Sequence, residues 1–256
     1  MAAFTSFQNV LPDPNNKIAD AGQIGGATNQ PAGTAGPGFA SVKLSSRQPM
    51  LRDITNSGRL LSRAVASHRW TINITYNPMT REQFEPVYNF LIQRRGSLSP
   101  FFVSLPQYRL PQNSSFSTWG AQSNGQFLES NSATNAGATS VLLDPESGAT
   151  YSRSSNGTPA PGDLFTINST TSNHLKAYRV TRVEDNTYYL SGTTQPSGTS
   201  QIRIHFVPGL AKSIEVNAPF KFNDPLIRVI QAGDVQEYSL GNNGLYQFSL
   251  NLEEVQ

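Results

Sequence analysis

From Arg69 to Tyr76 apolar and polar positions alternate without a break. Trp70, Ile72, Ile74 and Tyr76 fall on one face and Arg69, Thr71, Asn73 and Thr75 on the other, the period-2 pattern of a half-buried strand. Asn77-Pro78 closes it. Thr80 is a natural N-cap with Gln83 three residues on, the spacing of a capping box, and Phe84, Val87, Tyr88 and Leu91 then recur at helical spacing. A helix over about 80–95 follows, with Arg94 and Arg95 at the negative end of its dipole and Gly96 as a left-handed stop. Pro86 lacks a backbone donor, so it predicts a kink or a start nearer Gln83. Beyond Pro100 the apolar run Phe101 to Leu105 predicts a second strand, ended by Pro106. Strand, helix and strand form one unit whose connection is long enough for a crossover.

The remaining chain divides around this unit. Residues 1–48 are rich in glycine and proline and poor in large apolar side chains, so they read as an extended arm that is ordered only against another surface. Val42 and Leu44 alternate within a strand that can pair with the one opening at Arg69, and the polar run ending in Leu60-Leu61 reads as a loop. After Tyr108 the composition turns to Ser, Asn, Gly, Gln and Thr. Short strand signals then arrive at 140–143, 163–167, 177–183, 187–190 and 201–207, separated by turn residues. This predicts a small inserted β-barrel, SH3-like or OB-like, over 110–207. From Ile214 the alternation of the first domain is expected to resume. It ends in Tyr246, Phe248, Leu250 and Leu252 facing one way and Gln247, Ser249, Asn251 and Glu253 the other. The fold class is α+β, mostly β: a discontinuous β-domain, 49–109 with 208–256, interrupted by the barrel.

Composition narrows the function classes. Of 256 residues, 14% are charged and 37% hydrophobic, and so lightly charged a surface suits extended contact. A net charge of +2 is too slight to argue for nucleic acid. Arg47, Arg52, Arg59, Arg63 and Arg69 make one region positive, which reads as a solvated or inter-subunit face before a phosphate-binding arm. With no cysteine, disulfides and thiolate chemistry are excluded. No apolar run is long enough for a membrane span and the N-terminus lacks a secretion signal, so synthesis in a cytoplasm is expected.

No motif assembles a reaction centre. His68, His174 and His205 have no acidic or histidine neighbour at ligand spacing, and each is expected on a strand surface. Carboxylates occur as adjacent pairs, Asp144 with Glu146, Glu184 with Asp185 and Glu253 with Glu254, rather than as residues converging on one bond. The abundant serines sit in no nucleophile elbow, and Gly22, Gly25 and Gly26 lack the strand and the Lys-Ser/Thr of a phosphate loop. The expectation is therefore no catalytic residue, no cofactor and no metal. Trp119, Tyr151, Tyr188 and Tyr189 are candidates for sugar stacking or, more simply, for core and cross-strand packing.

The stretch Arg69-Trp70 to Tyr76-Asn77-Pro78-Met79, the helix carrying Phe84-Glu85-Pro86-Val87-Tyr88-Asn89-Phe90-Leu91, and Arg95-Gly96 leading to Pro100-Phe101-Phe102-Val103 and Leu105-Pro106 resembles the distal tail and minor tail proteins of long-tailed bacteriophages. The closing strand from Leu245 to Val255 resembles them more loosely. The resemblance implies a tube-type β-sandwich that assembles a hexameric ring at the tail tip or baseplate. Its implied partners are other copies of the chain, the tail tube protein, and hub or fibre proteins; direct contact with nucleic acid is not implied. It also implies a virion location after synthesis in the host cytoplasm, a non-enzymatic role, and Trp70, Phe84, Tyr88, Leu91 and Phe102 acting as core. The alternative function is a carbohydrate-binding accessory module contacting host surface glycans, and a hydrolase whose carboxylates converge only in the fold is a further rival.

Overall fold

A computed structural model describes residues 10–12, 17–18, 34–35, 38–64, 68–120, 127–169, 174–190, 194–233 and 237–255; most of the glycine- and proline-rich arm, including Gly22, Gly25 and Gly26, lies outside them. In chain order the strands are β1 (Lys17–Ile18), β2 (Thr34–Ala35), β3 (Phe39–Arg47), β4 (Met50–Ile54), β5 (Leu60–Ala64), β6 (Arg69–Tyr76) and β7 (Phe101–Ser104), with helix α1 (Arg81–Gln93) between the last two. Helix α2 (Ser114–Gly120), β8 (Leu128–Ser130), β9 (Ser140–Pro145), α3 (Arg153–Asn156), β10 (Leu164–Ile167), β11 (Ala177–Glu184), β12 (Ile202–Val207) and β13 (Pro219–Lys221) come next. Finally β14 (Leu226–Gln231), β15 (Tyr238–Leu240) and β16 (Tyr246–Glu254) close the chain. The fold is mostly β, as expected, and divides into two compact units, Met1–Val103 with Arg228–Val255, and Ser104–Ile227.

The first unit is a sheet in the order β3-β6-β16-β14-β7, with β15 added to β16. Its core follows from strand parity. Trp70, Ile72, Ile74 and Tyr76 of β6 are buried together with Phe248, Leu250 and Leu252 of β16, and the two strands are antiparallel with Leu250 opposite Ile74 and Leu252 opposite Ile72. Helix α1 presses Phe84, Val87 and Leu91 into the core. Phe84 stacks on Tyr246 at 4.5 Å between ring centroids and on Tyr88 at 5.1 Å. Tyr88 itself is half-buried. The buried Gln231 of β14 donates its side-chain amide to the Leu91 carbonyl at 2.9 Å, tying the helix end to the sheet.

The helix starts at Arg81, ahead of Gln83, and continues through Pro86. Its entry is fixed by Gln83, whose side chain accepts a bond from the Thr80 amide at 3.3 Å. Burial of three core side chains offsets the roughly 3 kcal/mol that an interior proline costs. Arg95 as well as Gly96 adopts positive φ, 55° and 65°, at the stop. β6 and β7 are not neighbours, since β16 and β14 lie between them. The outer side of β7 is taken by the chain's own start: the Leu11 amide donates to the Phe102 carbonyl at 2.8 Å, and Val10 and Leu11 are buried.

One expectation about this unit holds and another changes. The strand containing Val42 and Leu44 does pair with β6, Val42 opposite Ile74 and Leu44 opposite Ile72, but the polar run after it is not a loop. It forms the hairpin β4–β5, with Ile54 opposite Leu60.

The second unit is a closed barrel in the order β10-β11-β12-β9-β8-β13. Its core contains Val141, Leu143, Phe165, Tyr178, Ile204, Phe206 and Phe220. Four of the expected strands are present. The fifth, 187–190, is instead a turn, because the Asp185 carboxylate accepts the amides of Thr187 at 2.7 Å and Tyr188 at 2.8 Å. Barrel closure comes from β13, which bridges β10 and β8. Ile214 and Phe220, expected to resume the first domain, are therefore barrel core, and the first sheet resumes only at β14.

The stacking of Phe84 makes its truncation a test of the first unit. Phe84→Ala should lower unfolding free energy by about 3–5 kcal/mol, read as a shift of the urea midpoint at unchanged slope.

Candidate assembly surface

The helix covers one face of the first sheet; the other face follows from the same parity. Ser41, Lys43, Ser45 and Arg47 of β3 lie opposite Thr75, Asn73, Thr71 and Arg69 of β6, and Thr75, Asn73 and Thr71 lie opposite Ser249, Asn251 and Glu253 of β16. These side chains are exposed or half-buried, so the face is a lattice of hydroxyls and amides. Arg47 and Arg69 stand directly across from each other, and Arg69 is ion-paired with Glu253 at 2.9 Å. Glu254, one residue on, turns inward and accepts the Trp70 amide at 3.2 Å.

The hairpin β4–β5 is the exception to this polar surface. Leu51 is 64% exposed, Ile54 67% and Leu60 59%, with Met50 and Leu61 close to half. Opposed residues share a face of a ribbon, so Met50, Ile54 and Leu60 line one side and Leu51 and Leu61 the other. Every side chain described in β4 and β5 is exposed. The tip is well formed: the Thr55 hydroxyl accepts the Arg59 amide at 3.0 Å, and Gly58 takes φ 77°. Arg52, Arg59 and Arg63 of the positive region ride on this ribbon. A two-stranded ribbon with apolar residues on both sides and no core of its own gains stability chiefly from another surface.

The candidate chemical residues are dispersed. His68 is buried rather than on a strand surface: its Nε2 is 2.9 Å from the Ser46 hydroxyl and its ring meets Trp70 edge-on. His174 is also buried. Its Nε2 bonds the Tyr178 hydroxyl, which accepts the Ala211 amide at 2.9 Å. The other ring nitrogen, Nδ1, is buried and has no hydrogen-bond partner among the described residues. Burial, with Lys212 and Lys176 outweighing the opposing Glu215, lowers its pKa to about 4.

His205 does have an acidic neighbour, which its sequence context hid. β11 and β12 bring its Nε2 within 3.0 Å of Glu184, a carboxylate that also meets Arg182 and Arg203. Burial alone would raise the Glu184 pKa, but His205 and the two arginines outweigh it and hold it below the usual range. With two guanidinium groups on that carboxylate the cluster is an ion-pair network on the barrel wall. Glu129 lies opposite Asp144; its pKa is raised by burial and by the nearby charges of Glu146 and Asp144. Among the described residues no group of three His, Cys, Asp or Glu could hold a metal ion.

The aromatic candidates separate cleanly. Trp119 and Tyr151 are buried, with ring centroids 4.7 Å apart, whereas Tyr188 and Tyr189 are exposed. Trp119 sits on α2, a helix that the Ser/Asn-rich composition concealed. Its signals were Asn113, whose side chain accepts the Phe116 amide at 3.2 Å, and the i, i+3 pair Phe116 and Trp119.

The chain thus combines a helix-braced sheet with a polar face, an exposed apolar ribbon and a closed barrel. Residues 29–108 match the family described as distal tail protein pb9, A domain, N-terminal. The chain is also similar to distal tail protein pb9 of Escherichia phage T5, 26% identical over 224 residues that cover 86% of this chain and 93% of that protein. The resemblance read from Arg69 to Leu105 therefore holds, and the similarity extends through the barrel. By this homology the chain is a structural protein of a phage tail and a component of the virion.

The His174 environment carries a pH dependence. Its folded pKa of about 4 lies below the ordinary histidine value of 6.5, so between these values the unfolded chain binds the extra proton and stability rises with pH. Unfolding free energy should fall by about 2 kcal/mol from pH 6.5 to 4.5 on this account, and His174→Gln should flatten that part of a urea-midpoint profile.

Proposed function

We propose that this chain forms a homo-oligomeric ring, of six copies, at the tail tip or baseplate, where it joins the tail tube to the hub or fibres. The sheet-and-helix domain would build the ring, with the barrel carried as an insertion. The observation that carries this reading is the β4–β5 ribbon, which exposes Ile54 and Leu60 on one side and Leu51 and Leu61 on the other. Burying such a side chain completely contributes about 1.5–3 kcal/mol, so a ribbon clasped by a neighbouring copy would supply much of an interface core. The outer edge of β3 supports the same reading, since no described strand pairs with it and an open edge of nine residues is a liability unless a neighbour covers it. Identical contacts repeated around an axis close into a ring and leave no edge free.

The test is the oligomeric state of the purified chain, by light scattering and negative-stain imaging, alone and with tail tube protein. Rings are expected for the unaltered chain. Ile54→Asp with Leu60→Asp should abolish them while moving the thermal midpoint of the monomer little, because both side chains are exposed within it. A persistent monomer at high concentration, even with tube protein present, would refute the ring.

A further inference from the structure

A ring built from one kind of contact needs two different surfaces on each copy, one that reaches out and one that receives it. The ribbon β4–β5 is the first. The second is carried by β15, which pairs with β16 along one edge and meets no described strand along the other. Parity divides its side chains. Tyr238 and Leu240, opposite Phe248 and Tyr246, fall on the helix side of the sheet, yet they are 50% and 58% exposed. Ser239, opposite Gln247, falls on the polar side, and Glu237 shares its parity. The strand is braced, since the Tyr238 ring centroid lies 5.0 Å from that of Phe84 and 5.4 Å from that of Tyr88. Glu237 is exposed and borders a cleft of about 530 Å³ lined also by Thr75, Ser239, Gln247 and Ser249, with no cationic side chain in its lining.

The ribbon has the matching parity. Along β5, Leu60 and Ser62 face one side and Leu61 and Arg63 the other, and no described strand lies on the outer edge of β5. A strand added to a sheet edge continues both faces of that sheet, so a pairing that sets Leu60 beside Leu240 lays apolar surface against apolar surface. In an antiparallel ladder the same register sets Leu61 opposite Ser239, Ser62 opposite Tyr238 and Arg63 opposite Glu237, an opposite-charge pair across the strands. One register thus satisfies both the apolar side and the charge. β4 does not fit: with Ile54 on the helix side, Asp53 falls on the side of Glu237, and a carboxylate meets a carboxylate. Parallel addition of β5 would bring Arg59 rather than Arg63 to Glu237, in a ladder that is less stable per residue. We propose that the free edge of β15 receives β5 of the neighbouring copy as an antiparallel strand, with Leu60 opposite Leu240 and Arg63 opposite Glu237. This rests on the ring reading and names the surface that answers the ribbon within it.

The experiment uses the full chain, with assembly followed by light scattering over a concentration series. Glu237→Arg and Arg63→Glu each set like charges across the contact and should raise the concentration of half-assembly by about tenfold. The thermal midpoint of the monomer should move little, because both positions are exposed. An equimolar mixture of the two variants should regain rings, since an alternating ring contains only native and charge-reversed pairs, and so should the chain carrying both substitutions. The absence of native cysteine makes disulfide trapping specific. Leu61→Cys with Ser239→Cys in one chain should give, on oxidation, covalent ladders longer than dimers, which neither single variant can form. Rings that persist undiminished in both charge variants overturn the receiving edge and leave the ring standing, as do rings whose cysteine pair gives no ladder. Recovery of the Glu237→Arg chain by Arg59→Glu in place of Arg63→Glu overturns the antiparallel register. Neither ring nor ladder at any concentration overturns both readings.

Discussion

A single helix can cover only one face of a sheet, and the first unit is built around that constraint. Alternation in β6 and β16 sends Trp70, Ile72, Ile74, Leu250 and Leu252 toward α1, and the helix answers with Phe84 stacked on Tyr246. The residues between them are then committed to the opposite face, where an antiparallel sheet can meet water only if its side chains are polar. Ser, Thr and Asn satisfy most of that requirement without charge, and the charged residues of the face include Lys43 and, at one end, Arg47, Arg69 and Glu253, the last two ion-paired.

Helix and sheet hold each other through few but specific contacts. Gln231 is buried on β14 at a position whose parity calls for an apolar residue, and it is accommodated because its amide reaches the Leu91 carbonyl near the helix end. Glu254 likewise follows the inward parity of β16 and is accommodated by the Trp70 amide. Both polar groups sit where the regular pattern ends, and each fixes the register of its strand against a partner distant in sequence.

How far the fold could be read from sequence depended on whether one face of an element is buried. β6, α1 and β16 each bury one face, so their periods were plain. The hairpin β4–β5 exposes both sides, which erases alternation, and LRDITNSGRLLSR looked like a loop. β8 and β13 are too short to show a period, so the barrel was visible but its closure was not. The cluster at Glu184 was hidden for a different reason: Arg203 and His205 are near neighbours of Glu184 only because β11 and β12 pair, and strand register is a tertiary fact. Tyr188 and Tyr189 have strand propensity, but the Asp185 carboxylate takes the amides of Thr187 and Tyr188 and holds the segment in a turn.

The same logic explains why a barrel can be inserted where it is. The chain leaves the first sheet at the end of β7 and returns at the start of β14, and these strands are adjacent in that sheet. The sheet keeps its strand order whatever lies between. Closing a long connection costs only slightly more than closing a shorter one, since each doubling adds about 0.6 kcal/mol. The barrel must then provide for its own stability, and it does: among the described residues its buried core lies between Phe116 and Phe222, and its ion-pair network lies within the same stretch. A unit that neither contributes strands to the host sheet nor borrows core from it can change its surface while that sheet keeps its strand order.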